Sequence, residues 1–135
     1  MGGINYAAVL VAAAVSFAIG FLWYSEILFG NLWVKLSGIA KKDAKKAKKQ
    51  GMWKSAVASL ISYFVMAGVL SSIIVYIGKT PAVGAFIGVL SWLGFIATTT
   101  LGGVLWEGKS IKLYLFNNAY HLVSLVVMGL IIGAW

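Results

Sequence analysis

His121 is the only histidine in the chain, and it falls inside an apolar run with Asn117 four residues before it and Ser124 three after. At helical spacing these three share one stripe, with Asn118 one column over and Tyr120 beside the histidine. A neutral imidazole can donate one hydrogen bond and accept another, so the chemistry on offer is polar binding or a proton relay. A group of this kind deep in a membrane is costly and faces the bundle interior by default. The competing reading is structural. His121 and Asn117 would then join helices by hydrogen bonds worth ~0.6–2 kcal/mol each.

Nothing in the chain turns this histidine into a catalyst. The three acids, Glu26, Asp43 and Glu107, all lie outside the apolar runs on the side expected to face the cytoplasm, so none is placed to orient a buried imidazole. The same scarcity speaks against zinc, which needs three or four ligands, and no metal or cofactor is expected. Gly102-Gly103 sits in an apolar run with no strand before it and is not a phosphate loop. Cysteine is absent, which excludes disulfides and thiol chemistry. Glu107, close to Lys109 and Lys112, reads as an exposed ion-pair partner or as a carboxylate at a cavity mouth.

The elements that must position these residues are four apolar runs, at residues 4–23, 53–77, 82–106 and 111–135. Each is long enough to cross a hydrocarbon core that needs ~20 apolar residues. With 61% hydrophobic and 10% charged residues, the chain reads as an all-α integral membrane protein. The expected fold is a single domain over 1–135, four transmembrane helices in a compact bundle. Ten of the eleven lysines lie on one side of the four runs, eight of them between Lys35 and Lys54. The net charge of +8 is therefore topological and does not point to nucleic acid. The positive-inside rule puts residues 35–54 and 107–112 in the cytoplasm and both termini outside. No charged side chain precedes the first run, so it is not expected to be a cleavable signal peptide.

Residues 25–50 join the first two runs. Residues 25–36 read as a short amphipathic helix in the cytoplasmic interface, ended by Gly38, and residues 40–50 as a separate, solvated helix. Lys41, Lys42, Lys45, Lys46, Lys48 and Lys49 crowd that second stretch. They set topology and are placed to attract anionic lipid headgroups, by ~1 kcal/mol each.

Every run also carries a stripe of small or polar residues: Ala12, Ser16 and Gly20; Ser55, Ser59 and Ser62; Gly94, Thr98 and Gly102; Asn117, His121 and Ser124. Four inward stripes would line a polar path. The residues expected to bind or line it are His121, Asn117, Asn118, Tyr120, Ser124, Thr98, Thr99 and Glu107. The hydroxyls of Thr98, Thr99 and Thr100 can bond to carbonyls of the preceding turn and bend the third helix. Its glycines, from Gly84 and Gly88 to Gly102, let helix backbones approach closely and invite a second copy, most simply as a homodimer.

Several blocks together resemble one small prokaryotic family. They are Asn5-Tyr6, Gly20-Phe21-Leu22-Trp23-Tyr24-Ser25, Leu28-Phe29-Gly30-Asn31-Leu32-Trp33, Trp92-Leu93-Gly94-Phe95-Ile96-Ala97-Thr98-Thr99 and Asn118-Ala119-Tyr120-His121-Leu122-Val123-Ser124. The chain is similar along its whole length to the domain of unknown function 1761. That resemblance implies a compact four-helix protein of the bacterial inner membrane and supplies no catalytic residues. Glu26 stands where such relatives tend to have proline, which lowers it as a functional acid. The expectation carried forward is permeation or transport of a small solute or ion through a polar-lined bundle. The alternatives are a non-catalytic scaffold, complex subunit or lipid-binding module, and, last, an intramembrane enzyme.

Overall fold

In lipid every backbone N–H and C=O must be satisfied within the protein, so apolar runs of this length become helices. The computed structural model describes residues 3–37 and 41–135, and between 41 and 52 only the backbone and the Lys46 side chain. Helix α1 spans Tyr6–Trp23. Asn5 starts it, its Oδ1 accepting from the amides of Ala7 (3.0 Å) and Ala8 (3.2 Å), a cap that satisfies two otherwise orphaned donors. After turns at Tyr24 and beyond comes α2, Gly30–Ser37. It is shorter than the helix expected over 25–36. The Gly30 amide folds back onto the Ser25 carbonyl at 2.7 Å, and any Cβ at Gly30 would strike the Tyr24 and Ser25 backbone.

Helix α3 runs from Lys41 to Ile77 as one helix of 37 residues. The lysine stretch and the second apolar run are thus continuous, not two elements, and span ~55 Å by helical rise. Gly78, at φ +143°, makes the next turn. Thr80 then caps α4 (Pro81–Ser91), its Oγ1 accepting from the Val83 amide at 3.1 Å with Pro81 at the first helical position. Six residues, Trp92–Ala97, form a π-helical turn before α5 (Thr98–Trp106). Helix α6 covers Ile111–Ala134, with the Ser110 hydroxyl accepting from the amides of Lys112 and Leu113. Among the described residues there is no strand. Four stretches are long and apolar enough to cross a membrane: Tyr6–Trp23, Trp53–Ile77, Pro81–Trp106 and Ile111–Ala134.

The spanning helices contact one another round the bundle in chain order, and α6 closes the ring on α1. The tightest seam joins α4 to α6, although the short turn makes α3 the sequence neighbour of α4. Gly84 lies on Gly129, Gly88 on the Leu125 carbonyl and Gly133 on Thr80, so added methyl groups there would meet backbone. The dry core sits in the half remote from ten of the eleven lysines. It is built from Val9, Ala12, Ala67, Leu70, Ile74, Ile87, Leu125, Met128 and Ile132. Outward, Phe21, Phe64, Phe86, Phe95 and Leu105 are exposed for lipid to cover. Trp53 and Trp106 stand bare at the lysine-bearing end, as headgroup-level aromatics do.

Candidate functional site: a polar cavity in the lysine-side half

Where the dry core stops, the interior opens into a cavity of about 510 Å³. One wall is α6, contributing Leu113, Tyr114, Asn117, Asn118 and His121. Facing it are Thr100 and Val104 of α5, Trp33 of α2 and Tyr24 at the end of α1, with Lys109 from the loop before α6. Thr100 and Lys109 are exposed and mark the open side, whereas Asn118 is buried at the closed side.

Part of this wall is a fixed hydrogen-bond frame. The Asn118 amide donates to Thr100 Oγ1 at 3.1 Å and to the Tyr114 carbonyl at 2.9 Å. The Asn118 backbone carbonyl accepts from Trp92 Nε1 at 2.9 Å, and the Tyr114 hydroxyl donates to the Ala97 carbonyl at 2.6 Å. Both partners on the third span lie in the π-helical turn, where the wider winding alters which carbonyls the helix itself uses. Thr98 and Thr100 bond back to the carbonyls of Gly94 (2.8 Å) and Ile96 (2.6 Å), and Thr99 to that of Phe95. The threonine triplet itself opens α5 in regular α-helical winding, and the π turn directly precedes it and supplies the carbonyls of Gly94, Phe95 and Ile96 that it bonds.

Asn117 and His121 are held less fully. The Tyr24 hydroxyl donates to Asn117 Oδ1 at 2.7 Å, which leaves the Asn117 amino group for the cavity. Burial, with Tyr63 nearby, pushes the Tyr24 phenol up to about 12, so it remains a donor throughout the working pH range. Among the described residues nothing hydrogen-bonds the His121 imidazole, whose only close ring neighbour is Tyr120 at 5.3 Å. Asn117 and His121 thus present donors and one acceptor into a hollow that Trp33, Val104, Leu113 and Tyr114 also line. No three His, Asp or Glu side chains converge among the described residues. The chemistry is neutral hydrogen bonding, with one cation at the rim.

The expected site residues divide. His121, Asn117 and Asn118 share the cavity wall. Tyr120 does not, being 2% exposed and turned toward α1. Its hydroxyl donates to the Ser16 carbonyl at 2.9 Å and lies 2.8 Å from that of Tyr63. A phenol has one proton, so Tyr63 is the donor in that second bond. Ser124 is buried in the dry half, with its hydroxyl lacking a described partner. Thr98 and Thr99 are exposed away from the cavity, and Thr100 takes the place expected of them. Glu107 pairs with Lys109, Oε2 to Nζ at 3.2 Å, both side chains 64% exposed, and lines a separate hollow with Thr99 and Trp106.

Ser55 and Ser62 are exposed, so the α3 stripe faces outward except at Ser59, which lines a small hollow with Tyr63. Of the lysines expected at lipid headgroups, Lys46 is exposed, while the side chains of Lys41, Lys42, Lys45, Lys48 and Lys49 lie outside the described residues. Tyr24, Trp33, Val104, Lys109 and Leu113 are among the wall residues not anticipated. In sequence the two aromatics look like interfacial anchors, and only the fold of residues 24–37 over α6 turns them inward.

Four helices of this length and hydropathy, with no strand among the described residues, define a multi-pass, all-α membrane protein. The family profile described as Protein of unknown function (DUF1761) matches residues 7–133, and the chain belongs to that family. No curated protein and no solved structure matches the chain.

Proposed function

We propose that the protein is a membrane binding module that holds an amphiphile in this cavity, with an oxygen of the ligand's head hydrogen-bonded to Asn117 and His121. One observation carries the reading: on one stripe the Asn117 amino group and the His121 imidazole have no hydrogen-bond partner among the described residues, while their neighbour Asn118 is fully engaged by the protein. Both side chains are half-buried, and a ligand that shuts water out of the cavity must offer them an oxygen or leave a donor unpaired at about 1–3 kcal/mol. Trp33, Val104 and Leu113 offer apolar area to the body of such a ligand. The exposed side at Thr100 lets its chain leave into lipid. We place the lysine-bearing end at the cytoplasmic face of a bacterial inner membrane, on the positive-inside rule.

A photoreactive monoacylglycerol in vesicles tests this reading. Label should concentrate on peptides around Trp33, Val104 and Leu113, and Asn117→Leu with His121→Leu should cut it about tenfold, the equivalent of ~1.4 kcal/mol. Label spread over the lipid-facing Phe64, Phe86 and Phe95 alike would overturn it.

Permeation is the second reading, favoured by the π turn beside the cavity, since such turns recur at functional sites. It requires the helices to part beyond His121, where Leu125, Met128 and Ile87 fill the interior. Solute flux in proteoliposomes, abolished by His121→Leu, would establish it.

A further inference from the structure

The charge on the ligand is addressed by the loop that closes α5. Gly108, at φ +69°, ends that helix, and the Lys109 amide returns to the Gly103 carbonyl at 3.0 Å. The Lys109 stem then lies over Gly103, where an added Cβ would come within 3.0 Å of its Cδ. Lys109 borders two hollows at once, the polar cavity and a neighbouring one of about 420 Å³ lined also by Glu107 and Trp106. Its ammonium is held toward Glu107 at 3.2 Å, but both groups are largely in solvent, where such pairs are weak and easily exchanged. The rim is otherwise positive, with Lys112 next in line and the N-terminal end of the 24-residue α6 beside it. The groups free to bind are therefore ordered by depth: a displaceable cation at the rim, then neutral donors at Asn117 and His121.

We propose that the cavity selects an anionic amphiphile, a phosphate monoester whose acyl ester carbonyl lies deeper than its charge, and that Glu107 is the internal anion this phosphate displaces from Lys109. The inference rests on the cavity being a ligand site, and it adds the charge of the ligand and the residues that read it. Glu107 then sets a threshold, since a neutral amphiphile has no means of drawing Lys109 away from it. The order of groups matches an anionic lipid in its natural orientation, with phosphate at the interface, ester oxygens below it and the chain leaving sideways past Thr100.

Native mass spectrometry of the intact protein in neutral detergent, with monoacylglycerol and monoacylglycerol phosphate of equal chain length as probes, tests this. The parent protein should prefer the phosphate form about tenfold. Lys109→Gln should erase that preference and leave the neutral probe unchanged, which also shows that the variant is folded. Glu107→Gln should raise affinity for the phosphate form about threefold and again leave the neutral probe alone. Glycerol phosphate without a chain should fail to compete; if it competes as well as the acylated form, the site reads a soluble phosphate and the amphiphile is wrong. Equal binding of the two acylated probes to the parent would sink the charge selection while leaving the cavity reading intact. Binding of neither probe would remove the cavity reading itself.

Discussion

Asn117 and Asn118 are adjacent and chemically identical, yet the bundle uses them in different ways. Asn118 is 3% exposed and braces α6 against Thr100, whereas among the described residues Asn117 is bonded only through its side-chain carbonyl oxygen, to Tyr24. Asn118→Leu should therefore destabilise the bundle by about 1–3 kcal/mol, because it removes the side-chain amide that bridges Thr100 Oγ1 and the Tyr114 carbonyl. Asn117→Leu should cost less in stability and more in ligand binding. Thermal unfolding of the two variants in detergent, beside the photolabelling yield, separates these roles; equal unfolding losses would contradict the distinction. Tyr120 belongs with Asn118. Its hydroxyl ties α6 to α1 through Ser16 and to α3 through Tyr63, and its contact with Gly20 is so close that a Cβ there would lie 2.7 Å from the phenol oxygen.

At the level of elements, the glycines of the third span do two different jobs. Gly84 and Gly88 are consumed by α6, which brings two backbones together where no side chain fits. Gly94 and Gly102 meet nothing within reach of a Cβ and stand on the outside with Thr98. If two copies associate through this span, as its glycines led us to expect, the second set is the one left to do it. Gly84→Ala should then cost about 3 kcal/mol or more, since neither backbone can yield, and lower the unfolding temperature of the single chain. Gly94→Ile should leave that temperature unchanged. Cross-linking through cysteine at position 98 should report copies in contact, and the Gly94→Ile change should remove that signal. A drop in unfolding temperature for Gly94→Ile would mean that the face is not free.

At the scale of the molecule, the bundle has two unlike halves. One is a dry seam of glycine and aliphatic side chains, and the other is an aromatic and amide-lined hollow with its cation at the rim. The lysine end also carries the long extension of α3 beyond the apolar run, giving the protein a cationic flank on one side. Exchanging Lys41, Lys42, Lys45, Lys46, Lys48 and Lys49 for glutamine should weaken attachment to anionic vesicles or mix the two orientations. Protease accessibility of the 41–50 segment from either side of the membrane reads the orientation directly. Vesicle affinity and orientation both unchanged would leave the lysines without this role.

Hydropathy, charge asymmetry and family resemblance determined the four spans, their helical nature and the family, because in lipid the backbone has one local solution and each run reaches it alone. The same reading found His121 and Asn117 on one stripe, since spacing along a single helix is a property of the chain. It could not tell Asn117 from Asn118, or Gly84 from Gly94, or see Thr100 in the place given to Thr98. Those choices depend on how far one helix is rotated against the next. In a bundle whose outer face is as apolar as its core, hydrophobicity does not distinguish inside from outside. Only the packing of α6 against α4, and the fold of residues 24–37 across it, decided which polar groups were tied up and which were left facing a cavity.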